Sequence, residues 1–66
     1  MRVTRRERQI ISLVGDGLSD EEIGLRLHIG TDAVKTQVRS ILERLGLHTR
    51  LEILAYVRRN GRFHDA

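Results

Sequence analysis

Residues 19–45 read SDEEIGLRLHIGTDAVKTQVRSILERL, and this stretch decides the fold. Ser19 with Glu22 three residues later is a capping box, in which the hydroxyl takes one orphan N–H of a helix start and the carboxylate takes another. Asp20, Glu21 and Glu22 put three acids in the first turn, where the helix dipole favours negative charge. Ile23 and Leu27 form the inner stripe of a short helix that ends near His28. Gly24 in its middle costs ~1 kcal/mol relative to Ala, and reads as a point of close helix–helix approach, not as a ligand position. A second helix begins at Gly30 or Thr31. Its Val34, Val38, Ile41, Leu42 and Leu45 fall at i, i+4, i+7, i+8 and i+11, one continuous apolar stripe, and Gly46 follows as the residue after the C-cap. The short link around Ile29–Gly30 cannot reverse the chain into a long parallel bundle; it fits a helix-turn-helix with steeply crossed helices.

The flanks repeat the same grammar. Thr4 with Glu7 opens a helix carrying Ile10, Ile11, Leu13 and Val14, stopped by Gly15 and Gly17. Thr49 with Glu52 opens another, through Ile53, Leu54, Tyr56 and Val57 to Asn60–Gly61. The pattern predicts an all-α four-helix bundle with a central helix-turn-helix. It is one domain over 1–66, with helices over 5–15, 20–28, 31–45 and 50–60. Arg62 to Ala66 read as a frayed tail.

Composition excludes much else. A 66-residue domain buries only ~60% of its unfolded surface, enough for a modest core and no deep substrate cavity. Cysteine is absent, which removes disulfides and Cys-ligated metal sites. Tyr56 and Phe63 are the whole aromatic content, too little for a β-rich domain or for a single-strand binder that stacks bases on rings. No apolar run approaches the ~18 to 20 residues of a membrane span, and the start MRVTRRERQIISLV has no small-residue cleavage site. A soluble cytoplasmic protein with no membrane association is the expectation. His28, His48 and His64 are scattered without metal-ligand spacing, Ser12, Ser19 and Ser40 lack a nucleophile elbow, and the glycines end helices instead of cradling phosphate. No enzyme, metal or cofactor is expected.

The net charge is +3, and eleven of the twelve basic residues are Arg, the side chain suited to bidentate recognition of phosphate and guanine. On a helical wheel the apolar stripe of the third helix centres on Val38 and Leu45. The opposite face carries Asp32, Thr36, Arg39, Ser40 and Glu43, with Lys35 and Gln37 on its flanks. Arg39 can hold guanine O6 and N7 together, Lys35 can reach a base or a phosphate, Thr36 offers a methyl or a hydroxyl, and Gln37 can pair with adenine. A helix-turn-helix inserts its second helix into the major groove by its N-terminal residues. A solvated face carries the same mixture of residue types, so on pattern alone the two readings stand level.

The chain also resembles the LuxR-type (NarL-like) helix-turn-helix domain of quorum-sensing and response regulators. The resemblance runs without a gap through Val3-Thr4-x-Arg6-Glu7-Arg8, Gly17-Leu18-Ser19-x-x-Glu22-Ile23 and Arg26-Leu27-x-Ile29. It continues through Val34-Lys35-x-x-Val38-x-x-Ile41-Leu42-x-Arg44-Leu45-Gly46 and Arg50-x-Glu52-Ile53-x-Ala55-Tyr56. It implies a sequence-specific domain of a bacterial transcription regulator that binds double-stranded DNA. Base contacts would come from Lys35, Thr36 and Arg39. Backbone contacts would come from Arg5, Ser19, Asp20, Thr31, Gln37 and Arg50, with Asp32 beside Thr31. A weak homodimer would form through the fourth helix, where Leu51, Leu54, Ala55 and Arg58 make a second stripe, and RNA polymerase is a further partner. The sequence departs from the family's pattern at Arg5 (often Pro), Gly30 (often Ser), Ala33 (often Thr) and Asp32 (often small), and Thr36 and Arg39 suggest a target sequence of their own.

Other residues read more plainly. Glu7 is explained by its capping box. Arg6 and Arg8 read as solvated, and Leu25 as a lone outward leucine, at most part of a partner surface. Arg50 has no helix-dipole reason to stand at a helix start, which favours a phosphate contact. Two other functions fit the helices: a sigma-region-four-like promoter-binding module, and a dimeric helical protein–protein adaptor whose basic face is incidental.

Overall fold

The computed structural model describes residues 3–60. Four helices succeed one another, α1 (Arg5–Gly15), α2 (Asp20–Leu27), α3 (Thr31–Leu45) and α4 (Arg50–Asn60), and no strand occurs among the described residues. The fold is all-α, with α2 and α3 as the helix-turn-helix. The tail read as frayed, Arg62 to Ala66, and with it His64, lies outside the described residues.

Three helix starts are closed by reciprocal capping. Thr4 N–H donates to Glu7 Oε1 at 2.8 Å and Glu7 N–H to Thr4 Oγ1 at 3.1 Å. Ser19 N–H donates to Glu22 Oε1 at 2.8 Å and Glu22 N–H to Ser19 Oγ at 3.1 Å. At α4, Thr49 N–H donates to Glu52 Oε1 at 2.9 Å and Glu52 N–H to Thr49 Oγ1 at 3.3 Å, while His48 N–H adds a bond to Glu52 Oε1 at 2.7 Å. Gly30 caps α3 with no side-chain bond.

Three helix ends share one closure, an N–H reaching back five residues past a left-handed residue. Leu18 N–H meets Leu13 O at 3.1 Å, Ile29 N–H meets Gly24 O at 3.0 Å, and Leu47 N–H meets Leu42 O at 2.8 Å. The left-handed residues are Gly17 (φ 87°), His28 (φ 60°) and Gly46 (φ 70°). His28 fills at α2 the place glycine holds elsewhere, so α2 stops at Leu27 and not at His28 as expected.

Ile10, Ile11, Val14, Ile23, Val34, Val38, Ile41, Ile53 and Val57 form the core. Leu27, Leu42 and Leu45 of the inner stripes are half-buried against it, and Tyr56 of α4 is half-buried too. α1 packs on α3 and α4 and α2 packs on α3, whereas the backbones of α2 and α4 stay apart.

Two sequence readings are corrected here. The close neighbour of Gly24 is the turn's own backbone: a Cβ there would lie 2.7 Å from the Ile29 carbonyl oxygen. Arg6 and Arg8 are half-buried, not solvated, and Arg8 Nη1 donates to Val3 O at 3.4 Å; long arginine stems readily cover apolar surface.

Candidate nucleic-acid interface

α3 is fixed from behind and open in front. Val34, Val38 and Ile41 are buried, while Asp32, Lys35, Thr36, Arg39, Ser40 and Glu43 are exposed. Its 15 residues span about 22 Å, enough to cross a major groove about 12 Å wide. No ion pair engages Lys35 or Arg39 among the described residues, so both keep their donors for another partner. Lys35 and Arg39 are one turn apart, with Thr36 between them on the same open face. Asp32 and Glu43 balance their charge, so the face is chemically mixed and not a uniform basic patch. Gln37 is half-buried on the flank.

The residues assigned to the DNA backbone are distributed unevenly. Arg5 is exposed as the first residue of α1, and Thr31 is half-buried as the first of α3. The Ser19 hydroxyl is engaged in capping α2. Asp20 and Arg50 are brought together: Arg50 Nη1 lies 2.5 Å from Asp20 Oδ1, and Arg50 Nη2 donates to Leu18 O at 2.7 Å. This pair supplies the structural reason for a cation at the start of α4.

Hydrogen bonds at the helix starts also set two carboxyls. Glu22 lies below its ordinary value because the Ser19 backbone N–H, then its hydroxyl, donates to the ionised form. Glu52 lies below its ordinary value because the backbone N–H groups of His48 and Thr49 do the same. A further pair was not anticipated: Glu7, already capping α1, meets Arg44 Nε at 3.1 Å through its second carboxylate oxygen. In the sequence Arg44 stood out only within the resemblance, and nothing there pointed to a partner on α1.

On α4, Leu51 is 74% exposed, Ala55 and Arg58 are exposed, and Leu54 is half-buried. Leu51, Ala55 and Arg58 thus form an outward stripe away from the Ile53–Val57 face. Leu25 stands out from α2 at 79% exposure.

A capped α2, a turn held over Gly24 and an α3 with one buried and one open face define a helix-turn-helix domain of the kind that serves bacterial transcription regulators in DNA binding. A family model described as bacterial regulatory proteins, luxR family, matches residues 1–57, and the chain belongs to this family. It is 36% identical over 58 residues to the transcriptional regulatory protein LiaR of Bacillus subtilis (strain 168), covering 88% of this chain and 28% of that protein. It is 33% identical over 61 residues to the transcriptional regulatory protein DesR of the same organism, covering 92% and 31%. It is 37% identical over 54 residues to the response regulator protein VraR of Staphylococcus aureus (strain Mu3), covering 82% and 26%. The chain spans less than a third of the length of these relatives, which are named as regulators and not as enzymes. Among the described residues, no helix is long and apolar enough to cross a membrane.

Proposed function

We propose that this domain reads duplex DNA by laying α3 in the major groove, with Lys35, Thr36 and Arg39 at base edges. The observation that carries the reading is the open face of α3. Two cations without an ion pair among the described residues and a small hydroxyl residue stand on a helix whose other face is locked in the core. Arg5, Ser19, Thr31 and Gln37 would hold the phosphates on either side, and Asp20 and Arg50 would act at the start of α2. Two copies would pair weakly through Leu51, Leu54, Ala55 and Arg58 and bind half-sites about one helical turn apart, since an isologous contact uses one patch twice. The domain would act by binding, without catalysis, in a cytoplasmic transcription regulator. RNA polymerase would be a partner of that regulator, with exposed Leu25 as the α2 residue to vary for it.

The test is a selection from random duplex DNA, followed by affinities across a salt series. A two-fold-symmetric enriched motif with a steep salt slope is expected, because each neutralised phosphate releases counterions. Arg39→Ala should weaken the best site by about 1–3 kcal/mol and relax preference at one base pair. Equal loss on every sequence would remove Arg39 from base reading. No duplex binding at low salt would sink the reading as a whole.

A further inference from the structure

We infer that Arg50 serves DNA binding by masking the charge of Asp20, and that it is a positioning residue and not itself a phosphate ligand; this rests on the reading of the α2 start as a phosphate-facing edge. The backbones of α2 and α4 stay apart, yet Arg50, the first residue of α4, reaches across to the first residue of α2. Each of its two terminal nitrogens makes one bond there, Nη1 to the Asp20 carboxylate and Nη2 to the Leu18 carbonyl. A guanidinium is a rigid planar fork, so two bonds to two fixed acceptors set its plane. The Arg50 side chain is 36% exposed and that of Asp20 22%, so the pair is at the surface and partly shielded from water.

The consequence follows from charge. Asp20 stands beside the Ser19 cap, where the reading brings a phosphate. An unmasked carboxylate there would repel it. With Arg50 in place the pair is neutral, so of the three acids in the first turn of α2 Asp20, the one beside the cap, no longer opposes a phosphate with a full charge. The acid has a structural use that keeps it there: it ties the start of α4 to the start of α2. Arg50 therefore contributes by removing a repulsion, whereas a phosphate ligand contributes an attraction, and a double-variant cycle separates the two.

The experiment measures affinity for the wild-type chain's selected duplex, across salt, for Arg50→Ala, Asp20→Asn and the double variant, with far-UV circular dichroism to verify folding. Arg50→Gln substitutes if Arg50→Ala does not fold. Masking predicts that Arg50→Ala weakens binding about tenfold and lowers the salt slope by about one. Asp20→Asn, which leaves the Arg50 charge unneutralised, binds more tightly than the wild type. The double variant recovers to within about threefold of the wild type, with the slope restored. A double variant as weak as Arg50→Ala overturns the inference in favour of a direct phosphate contact. A folded Arg50→Ala with unchanged affinity and slope overturns it in favour of a purely structural pair. A wild-type chain that binds no duplex at any salt overturns the functional reading, and this inference with it.

Discussion

The two helices of the helix-turn-helix begin in opposite ways. α2 starts with a complete reciprocal box between Ser19 and Glu22, reinforced by three first-turn acids. α3 starts at Gly30 with no side-chain bond at all. The backbone is not the difference: Ser19 has φ −78°, ψ 168° and Gly30 has φ −70°, ψ 155°, both the extended geometry of an N-cap. What differs is where each helix draws its stability. α2 is eight residues long, below the length at which a helix holds itself in water, and buries only Ile23 and Gly24. Local bonds must compensate. α3 is fifteen residues long and buries Val34, Val38 and Ile41, so tertiary packing holds it and its start can be left open. The helix assigned to DNA is thus the one whose first turn its own side chains do not close.

The sharpest way to break this comparison is at the joint between the two helices. Gly24→Ala places a methyl 2.7 Å from the Ile29 carbonyl oxygen, a backbone atom of the turn that cannot swing aside. Helix propensity alone favours the change by ~1 kcal/mol. The steric term opposes it and should win, for a net loss of about 1–3 kcal/mol. In a domain of this size each kcal/mol lost lowers the thermal midpoint by about 4–8 °C. A midpoint that rises would mean that the turn is free to move off α2.

A smaller effect separates the two starts by pH. The Glu22 carboxyl is held below its ordinary value of 4.5, first by the Ser19 backbone N–H and then by its hydroxyl. A carboxyl depressed in the folded state adds stability that is present above its unfolded value and is lost as pH falls through the folded one. Glu52 is depressed in the same direction by His48 and Thr49. Thermal midpoints of the wild type and Glu22→Gln should therefore differ most near neutrality and converge below about pH 4. A gap that stays constant with pH would show that the box works without the carboxylate charge.

Most of this architecture was legible in the residues. Each capping box announced a helix start, and the i, i+4, i+7 stripe of α3 sorted its buried face from its open one, because both signals are local and periodic. What was missed depends on contacts distant in sequence. Arg50 looked anomalous at a helix start, and the anomaly was real. Its resolution, Asp20, lies 30 positions away, and no local pattern connects them. Glu7 with Arg44 is the same kind of case. His28 was invisible for another reason: only glycine normally advertises a left-handed cap, and here the turn imposes φ 60° on a residue with a side chain. Assignment of base and backbone contacts went further than spacing allows, since Thr36 and Arg39 are placed on the open face by periodicity but receive their roles from resemblance.

The smallest predicted effect sharpens the comparison most directly. Gly30→Ser would give α3 the cap that α2 already has. A Cβ at Gly30 meets nothing within 4 Å, and the backbone is already in N-cap geometry, so the serine hydroxyl is free to accept an N–H from the first turn. Serine exceeds glycine at an N-cap by only a few tenths of a kcal/mol, and Ala33 occupies the place where a glutamate would return the bond. The thermal midpoint should rise by a degree or two. Gly30→Ser with Ala33→Glu should raise it further, by completing the reciprocal box. If neither variant changes the midpoint, the start of α3 is fixed entirely by the core behind it. If both stabilise the fold while weakening duplex binding uniformly across sequences, the open N–H groups of α3 belong to phosphate, since a side-chain cap and a phosphate oxygen compete for the same donors.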